Sequence, residues 1–460
     1  MFGLLLLGAS LLASRALVFG QLEYALGLVA AGAVFILVFV RTEVGLYLAL
    51  LSMLLSPQFA LGGKGSLAEA REVIVRAEDV LLIVVALSWV AKTAVNKELG
   101  LVVATPLNRP ILAYLLTTLA ATLLGYLTGT VKTAAGFFYV LKYMEYFVVY
   151  YMVVNNVQTH TQAWRLVRVA FFTAVVVSLI GVAQIPSGER VSAPFEGEVG
   201  EPNTFGGYLL IMIGLAAGLL LESPRVKTRM WSLGFLVVLV IPFLYTLSRA
   251  SYLGVLPLVA VLALLSSRRR LMAGLLILLL VGSPLVVYLF PTPVVKRVLY
   301  TFEPEAGQPT VRLGQVAFDP STSERLISFQ QAVEGWVKRP ILGYGVTGFM
   351  FMDAQYPRIL VETGVLGLAA FLWLVWALLR GSLGAFRALK EPTDRGLALG
   401  FLAGTAGLLT HAIGANSFII VRIMEPFWFF AGIVTMLPLL QPAGPVNRSD
   451  DKSSWRALRS

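Results

Sequence analysis

Apolar runs broken by short polar or charged links extend along almost the whole chain. Apolar runs with few charges and close to the ~20 residues needed to cross a bilayer as a helix predict spans at 2–19, 23–40, 43–56, 80–95, 110–127, 136–154, 165–185, 206–221, 230–247, 251–267, 271–290, 364–379, 396–413 and 424–440. The third is short and reads equally as interfacial. The expectation is an all-α polytopic membrane protein of about 12–14 spans, with one membrane domain over 1–440 and a polar tail over 441–460. FGLLLLGASLLA near the start has no basic stretch before it and no small-residue cleavage site after it, and is read as a retained span.

One stretch interrupts this rhythm. Residues 291–363 are polar, rich in Pro and Gly, and form the longest segment outside the predicted spans. Within them SERLISFQQAVEGWVKR places Leu326, Phe329, Val333 and Trp336 at helical spacing, predicting an amphipathic helix at the membrane surface. A PILGYGVTGF turn region follows.

Composition sharpens the picture. Of 460 residues, 58% are hydrophobic and 13% charged, which excludes an ordinary soluble enzyme. The net charge of +11 belongs in a membrane protein to cytoplasmic links, not to nucleic acid. Arg41, Lys92, Lys97, Arg165, Arg168, Arg225, Lys227, Arg229 and the Arg268–Arg270 triplet then lie inside with both termini, and 291–363 lies outside. The chain has no cysteine, which excludes a disulfide framework and a thiolate nucleophile, and its two histidines argue against a histidine-rich metal site. No phosphate loop or dinucleotide fingerprint occurs, so no cofactor and no coupling to ATP within the chain are expected.

Four of the arginines on the expected outer side, where the positive-inside bias would not put them, stand out: Arg190, Arg249, Arg325 and Arg422. Arg249, in TLSRAS, stands at the junction of two apolar runs, where a guanidinium needs a partner or water. A lipid diphosphate is one such partner, because a guanidinium matches phosphate oxygens bidentately and keeps its charge. Snorkelling to headgroups or pairing with a structural carboxylate are the alternatives.

Carboxylates stand near these arginines in sequence. Glu196, Glu198 and Glu201 share the loop 187–204 with Arg190, as proton acceptors or as part of a solvated turn in which Asn203 or Thr204 caps the next helix. Asp353 and Glu362 flank the point where FMDAQYPRILVETGVLGL enters the membrane, and Pro357 predicts an interrupted helix there. Asp353 reads as a base for a sugar hydroxyl, a helix cap or an arginine's ion-pair partner. Lys142 and Glu145 share a helix face and neutralise each other. Tyr139, Tyr143, Tyr146 and Tyr150 line a polar groove or pack. His411 reads as a structural hydrogen-bonding group and His160 as a surface residue.

The chain resembles the bacterial O-antigen ligase and O-antigen polymerase superfamily of integral-membrane glycosyltransferases. The resemblance is carried by RAEDVLLIVVALSW at 76–89, RVSAPFEGEVGEPNTFGGYLL at 190–210, TLSRASYLG at 246–254, SERLISFQQAVEGWVKRPILGYG at 323–345 and DAQYPRILVETGVLGL at 353–368. It implies transfer of a glycan from an undecaprenyl-diphosphate donor to an acceptor glycan or glycolipid hydroxyl at the outer face of the plasma membrane, without a metal. It also implies that Arg249 and Arg325 match arginines that hold the donor diphosphate, and that Arg190 matches the arginine of the outer loop. Ligases of the family commonly show an Ala-His-Asn type sequence shortly before the Glu-Thr-Gly, where this chain has Met352-Asp353-Ala354. The missing histidine makes Asp353 the candidate catalytic residue and favours a polymerase, with a ligase second. Replacing Arg249 or Arg325 by Ala is expected to abolish transfer without unfolding. A secondary transporter or lipid flippase is the reading from another class.

Overall fold

The computed structural model describes residues 22–56, 58–61, 73–95, 103–195, 200–281, 290–304, 307–308 and 310–441. The expected span 2–19, the end of the expected span 271–290, Glu196, Glu198 and the tail from 442 lie outside the described residues. The structure is 77% helical, and its strands pair as two short antiparallel hairpins, so the all-α expectation holds.

Before the long polar stretch come α1 (Leu22–Val40), α2 (Thr42–Ser52), a hairpin of β1 (Gln58–Leu61) and β2 (Val73–Arg76), α3 (Ala77–Val95), α4 (Asn108–Leu127), α5 (Ala135–Asn156), α6 (His160–Gln184), α7 (Pro202–Glu222), α8 (Val226–Tyr245), α9 (Arg249–Leu265) and α10 (Arg269–Val281). The stretch itself holds α11 (Thr292–Leu299), the hairpin β3 (Arg312–Leu313) and β4 (Val316–Ala317), and α12 (Pro320–Lys338). Three helices close the bundle: α13 (Gln355–Ala388), α14 (Pro392–His411) and α15 (Val421–Leu440). Seven of the described helices, α4 to α8, α13 and α15, are long and apolar enough to cross a membrane on length and composition alone.

The centre of the bundle is a glycine seam. Lipid tails are as apolar as leucine side chains, so helices in a bilayer associate through close packing, and small residues let backbones meet. On α7, Gly214 and Gly218 face Gly396, Gly400 and Gly404 of α14, and a Cβ on Gly218 would overlap the Gly396 carbonyl. Gly254 of α9 meets Gly407 of α14 in the same way. The α7 helix is accordingly buried almost all round.

Aromatic packing holds the other side. Trp428 of α15 lies 4.8 Å from Phe147 and 5.8 Å from Tyr150 of α5, ring centre to ring centre, and stacks on Tyr146 at 6.5 Å. Tyr143, Tyr146 and Tyr150 are thus packing residues. On the same helix Lys142 pairs with Glu145 at 3.3 Å, as the sequence suggested, and also with Asp79 of α3.

Three local expectations change. The helix of the polar stretch is present as α12, but its buried face is Ser323, Ala332 and Gly335, while Val333 is 50% exposed. Phe349 and Val361 sit so close to Gly335 that this small-residue face wins over the apolar stripe. In α13 the helix runs through Pro357, which lies in the first turn where no hydrogen bond is lost. It breaks instead at Gly364 (φ 65°), where Val365 N–H and Leu366 N–H donate to the Pro340 and Ile341 carbonyls. His160 is not simply a surface residue. Its Nε2 lies 3.0 Å from the buried Asp394, which also accepts from Trp164 Nε1 at 2.8 Å, tying the start of α6 to the start of α14.

Candidate active site

The site forms where the link between α8 and α9 meets the polar stretch. At the end of α6 the Gln184 side chain donates to the Ser192 carbonyl (3.1 Å) and accepts from the Ser192 N–H (3.0 Å), while Val191 N–H donates to the Tyr245 carbonyl at 3.0 Å. This strap aims Arg190 at the link. Its Nε donates to the Thr246 carbonyl (3.1 Å) and its Nη2 to the Leu247 carbonyl (3.3 Å). Leu247 adopts φ 49°, a conformation costly for a residue with a branched side chain. Arg297 of α11 donates from Nε to the same Leu247 carbonyl at 3.3 Å, so two guanidiniums hold the strained link.

One residue on, Ser248 caps α9 by accepting from the Ser251 N–H. Arg249 is therefore the first residue of α9, and its fork donates from Nη1 and Nη2 to the two oxygens of Asp319, each at 2.8 Å. Nη1 also donates to Thr301 Oγ1 at 3.0 Å. Asp319 is fully buried at the start of α12. Two turns into that helix, Arg325 donates from Nη1 to Ser321 Oγ (2.9 Å) and from Nη2 to Asp353 Oδ2 (3.0 Å). Its Nε is buried without a hydrogen-bonding partner among the described residues.

Asp353 is positioned by its neighbours. Asn416 Nδ2 donates to the Met352 carbonyl (2.7 Å), Gln355 N–H donates to the Ala412 carbonyl (3.1 Å), and Gln355 Oε1 accepts from Phe418 N–H (2.9 Å). The loop between α14 and α15 thereby clamps the chain on both sides of Asp353.

The cations act on one another's charge. Burial, followed by the charges of Arg297, Arg249 and Arg325, pushes Arg190 down to about 10. Arg297 is lowered by burial and then by Arg249. Asp319 is pushed up by burial, but the hydrogen bonds and charge of Arg249 outweigh it and hold the carboxyl below its ordinary value. Asp353 differs. Its side chain keeps 42% of its surface open, yet the surrounding protein desolvates it enough to raise its pKa in spite of Arg325.

Residues 236–372 match the family model described as O-antigen ligase. The match agrees with the resemblance to the O-antigen ligase/polymerase superfamily, and this family supports a membrane glycosyltransferase activity of the ligase or polymerase type. The matched segment runs from mid-α8 to mid-α13 and contains Arg249, Arg297, Arg325 and Asp353. Arg190 lies before it and Arg422 after it. No curated protein matches the chain.

The structure brings Arg190, Arg249, Arg325 and Asp353 together but not Arg422. That guanidinium is fully buried and donates to the carbonyls of Pro194 (2.6 Å), Ser56 (2.8 Å) and Phe195 (3.4 Å). It anchors the far end of the loop that presents Arg190, since a buried guanidinium is stable where carbonyls satisfy it. Glu362 is likewise internal, accepting from Arg358 Nε (3.1 Å) and Thr347 N–H (3.0 Å). His411 is buried against Ser417 Oγ, with Nδ1 2.6 Å away. Sequence reasoning missed Arg297 and Asp319. The basic end of PTPVVKRVLY was a visible signal for Arg297, whereas nothing local marked Asp319 as the partner of Arg249. No group of three or more His, Asp or Glu side chains suited to a metal ion occurs among the described residues.

Proposed function

We propose that the chain transfers glycan from an undecaprenyl-diphosphate carrier to an acceptor sugar hydroxyl at the outer face of a bacterial plasma membrane, extending a polysaccharide. The observation that carries this reading is the convergence of Arg190, Arg249, Arg297 and Arg325 around one backbone link, beside Asp353. Among the described residues, these four guanidiniums outnumber the carboxylates of Asp319, Asp353 and Glu201 that act on them or on one another, which supports a cationic region suited to a diphosphate.

In this mechanism the acceptor oxygen attacks the anomeric carbon as the bond from that carbon to the phosphate oxygen breaks. The electron pair leaves on the diphosphate, where arginines stabilise it. Arg325 contributes the exposed part of its guanidinium, its side chain being 24% open. Arg190 and Arg297 each use some of their N–H groups on backbone carbonyls and retain others. Arg249, with its fork on Asp319, acts by positioning α12. The acceptor proton passes to the Asp353 carboxylate and then to water. A single displacement of this kind inverts the anomeric carbon.

Asp353 at the place of the ligase histidine favours polymerisation. The second reading, a ligase that attaches glycan to a lipid or protein acceptor, is favoured by the description of the matched family. Purified protein in nanodiscs, given polyprenyl-diphosphate oligosaccharide, distinguishes them: a ladder supports a polymerase and a single transfer to added acceptor supports a ligase. Movement of the substrate across proteoliposomes without covalent change would replace both by transport.

A further inference from the structure

A second polar site lies at the opposite end of α6 from the arginines. At ~1.5 Å rise per residue, this helix of 25 residues separates the two by about 37 Å. A crevice of about 540 Å³ opens where the ends of α1, α2, α3, α5 and α6 meet. Its lining includes Arg41, Glu43, Lys92, Asn156, Gln162 and Arg165. Three of these cations are among those the sequence places on the cytoplasmic side, and the glycosyl-transfer mechanism uses none of them.

The charges are unevenly satisfied. Glu43 is already occupied, accepting from Tyr47 Oη (2.5 Å) and pairing with Arg165 at 3.1 Å. Lys92 Nζ donates to Thr42 Oγ1 (3.1 Å) and the Val40 carbonyl (3.4 Å), neutral groups that leave its charge uncompensated. The Arg41 side chain is exposed and makes no hydrogen bond or ion pair among the described residues. The crevice therefore holds two positive charges beyond its internal pair. The α2 helix also starts here without a side-chain cap, so its positive end adds to the attraction for an anion.

Beside the crevice the surface turns apolar. Leu37 and Val40 of α1 are 46% and 66% exposed, and Val90 and Val95 of α3 are 47% and 68% exposed. A free anion would use only the charged part, whereas a phospholipid matches both, with its phosphate among the cations and its chains along α1 and α3. We propose that this crevice binds the headgroup of an anionic phospholipid. A zwitterionic headgroup is disfavoured, because the carboxylate that would receive its ammonium is already engaged by Arg165 and Tyr47.

The test compares phosphatidylglycerol, phosphatidylcholine and inorganic phosphate added to the purified full chain in detergent, with bound lipid counted by native mass spectrometry and unfolding followed by heating. Phosphatidylglycerol is expected to form a discrete adduct and raise the Tm in a way that depends on Arg41, and the other two are not. Removing one surface charge weakens such binding roughly fivefold, so Arg41→Gln should lower adduct affinity by about that factor and Arg41→Glu by more. Arg225→Gln, at the same end but outside the crevice, should leave it unchanged. Arg41 makes no side-chain bond, so these variants retain the fold. Equal retention of phosphatidylcholine, an equal effect of inorganic phosphate, or an adduct indifferent to Arg41→Glu overturns the proposal. None of these readouts depends on glycosyl transfer.

Discussion

Arg325 and Asp353, 28 residues apart in sequence, share an ion pair of 3.0 Å between α12 and the residue that leads into α13. A donor diphosphate that recruits Arg325 would remove the counter-ion of Asp353. The carboxylate would then hold a proton more tightly, at the moment a base is needed.

The pH dependence follows from that carboxyl. Burial raises its pKa although Arg325 opposes it, and a base must be ionised, so transfer should fall as pH drops through a value above the ordinary ~4. Asp353→Asn should remove this limb and lower kcat by ~10²–10⁴. A raised folded-state pKa means that stability from this group is present at low pH and lost as pH rises through that pKa. Asp353→Asn should thus keep or raise the Tm at neutral pH. A lowered Tm with unchanged kcat would assign Asp353 a structural role instead.

Arg249→Ala should unfold the protein more than it disables a folded one, contrary to the sequence-based expectation. It removes the direct counter-ion of the fully buried Asp319 carboxylate, and breaking a buried pair costs up to ~3–5 kcal/mol, less here because Thr322 and Arg297 still act on the carboxylate. Asp319→Asn in the same chain should recover part of the Tm. The depressed pKa of Asp319 gives stability that is present above its unfolded value and lost as pH falls through its folded one, so the wild-type advantage should shrink below about pH 4. A single variant as stable as wild type would dismiss this account.

Arg190 is disfavoured as a cation by burial and by three like charges, so an anion should relieve it. Inorganic pyrophosphate should raise the Tm in proportion to the logarithm of its concentration above Kd. Arg325→Ala should weaken that response while Arg225→Gln leaves it intact. A response equal in all three proteins would mean that the anion binds elsewhere.

Gly218→Ala should destabilise the bundle by ~1–3 kcal/mol, because its new methyl group meets the α14 backbone, which cannot rotate away. Gly234→Ala, with open space around the same atom, should be neutral or slightly stabilising. Thermal unfolding in detergent separates the two, and equal Tm values would argue against the seam as a packing determinant.

The bundle was legible because crossing a bilayer imposes a local and repeated demand on composition. Arg249 was legible as a charge in a costly place, and Arg325 as one on the side the positive-inside bias does not favour. Their partners were less so: Asp319 lies 70 residues from Arg249, and no local rule brings a carboxylate over that distance. Arg422 shows the opposite failure. Its placement among apolar residues is as unusual as that of Arg249, but carbonyls from two distant loops accept from its Nη1 and Nη2, and sequence alone does not distinguish a backbone anchor from a ligand. Pro357 was read by its type and not by its position within the first turn.

The seam of bare backbones between α7 and α14 has a bearing on the site that neither helix contains. Its neighbours α9 and α13 both pack on α14, and the loop that follows α14 grips the chain around Asp353. On the side of α9, where Gly254 meets Gly407, the spacing is thus set by main-chain thickness, not by the length of interchangeable side chains. Side chains of the polar stretch can vary while that contact stays at one setting.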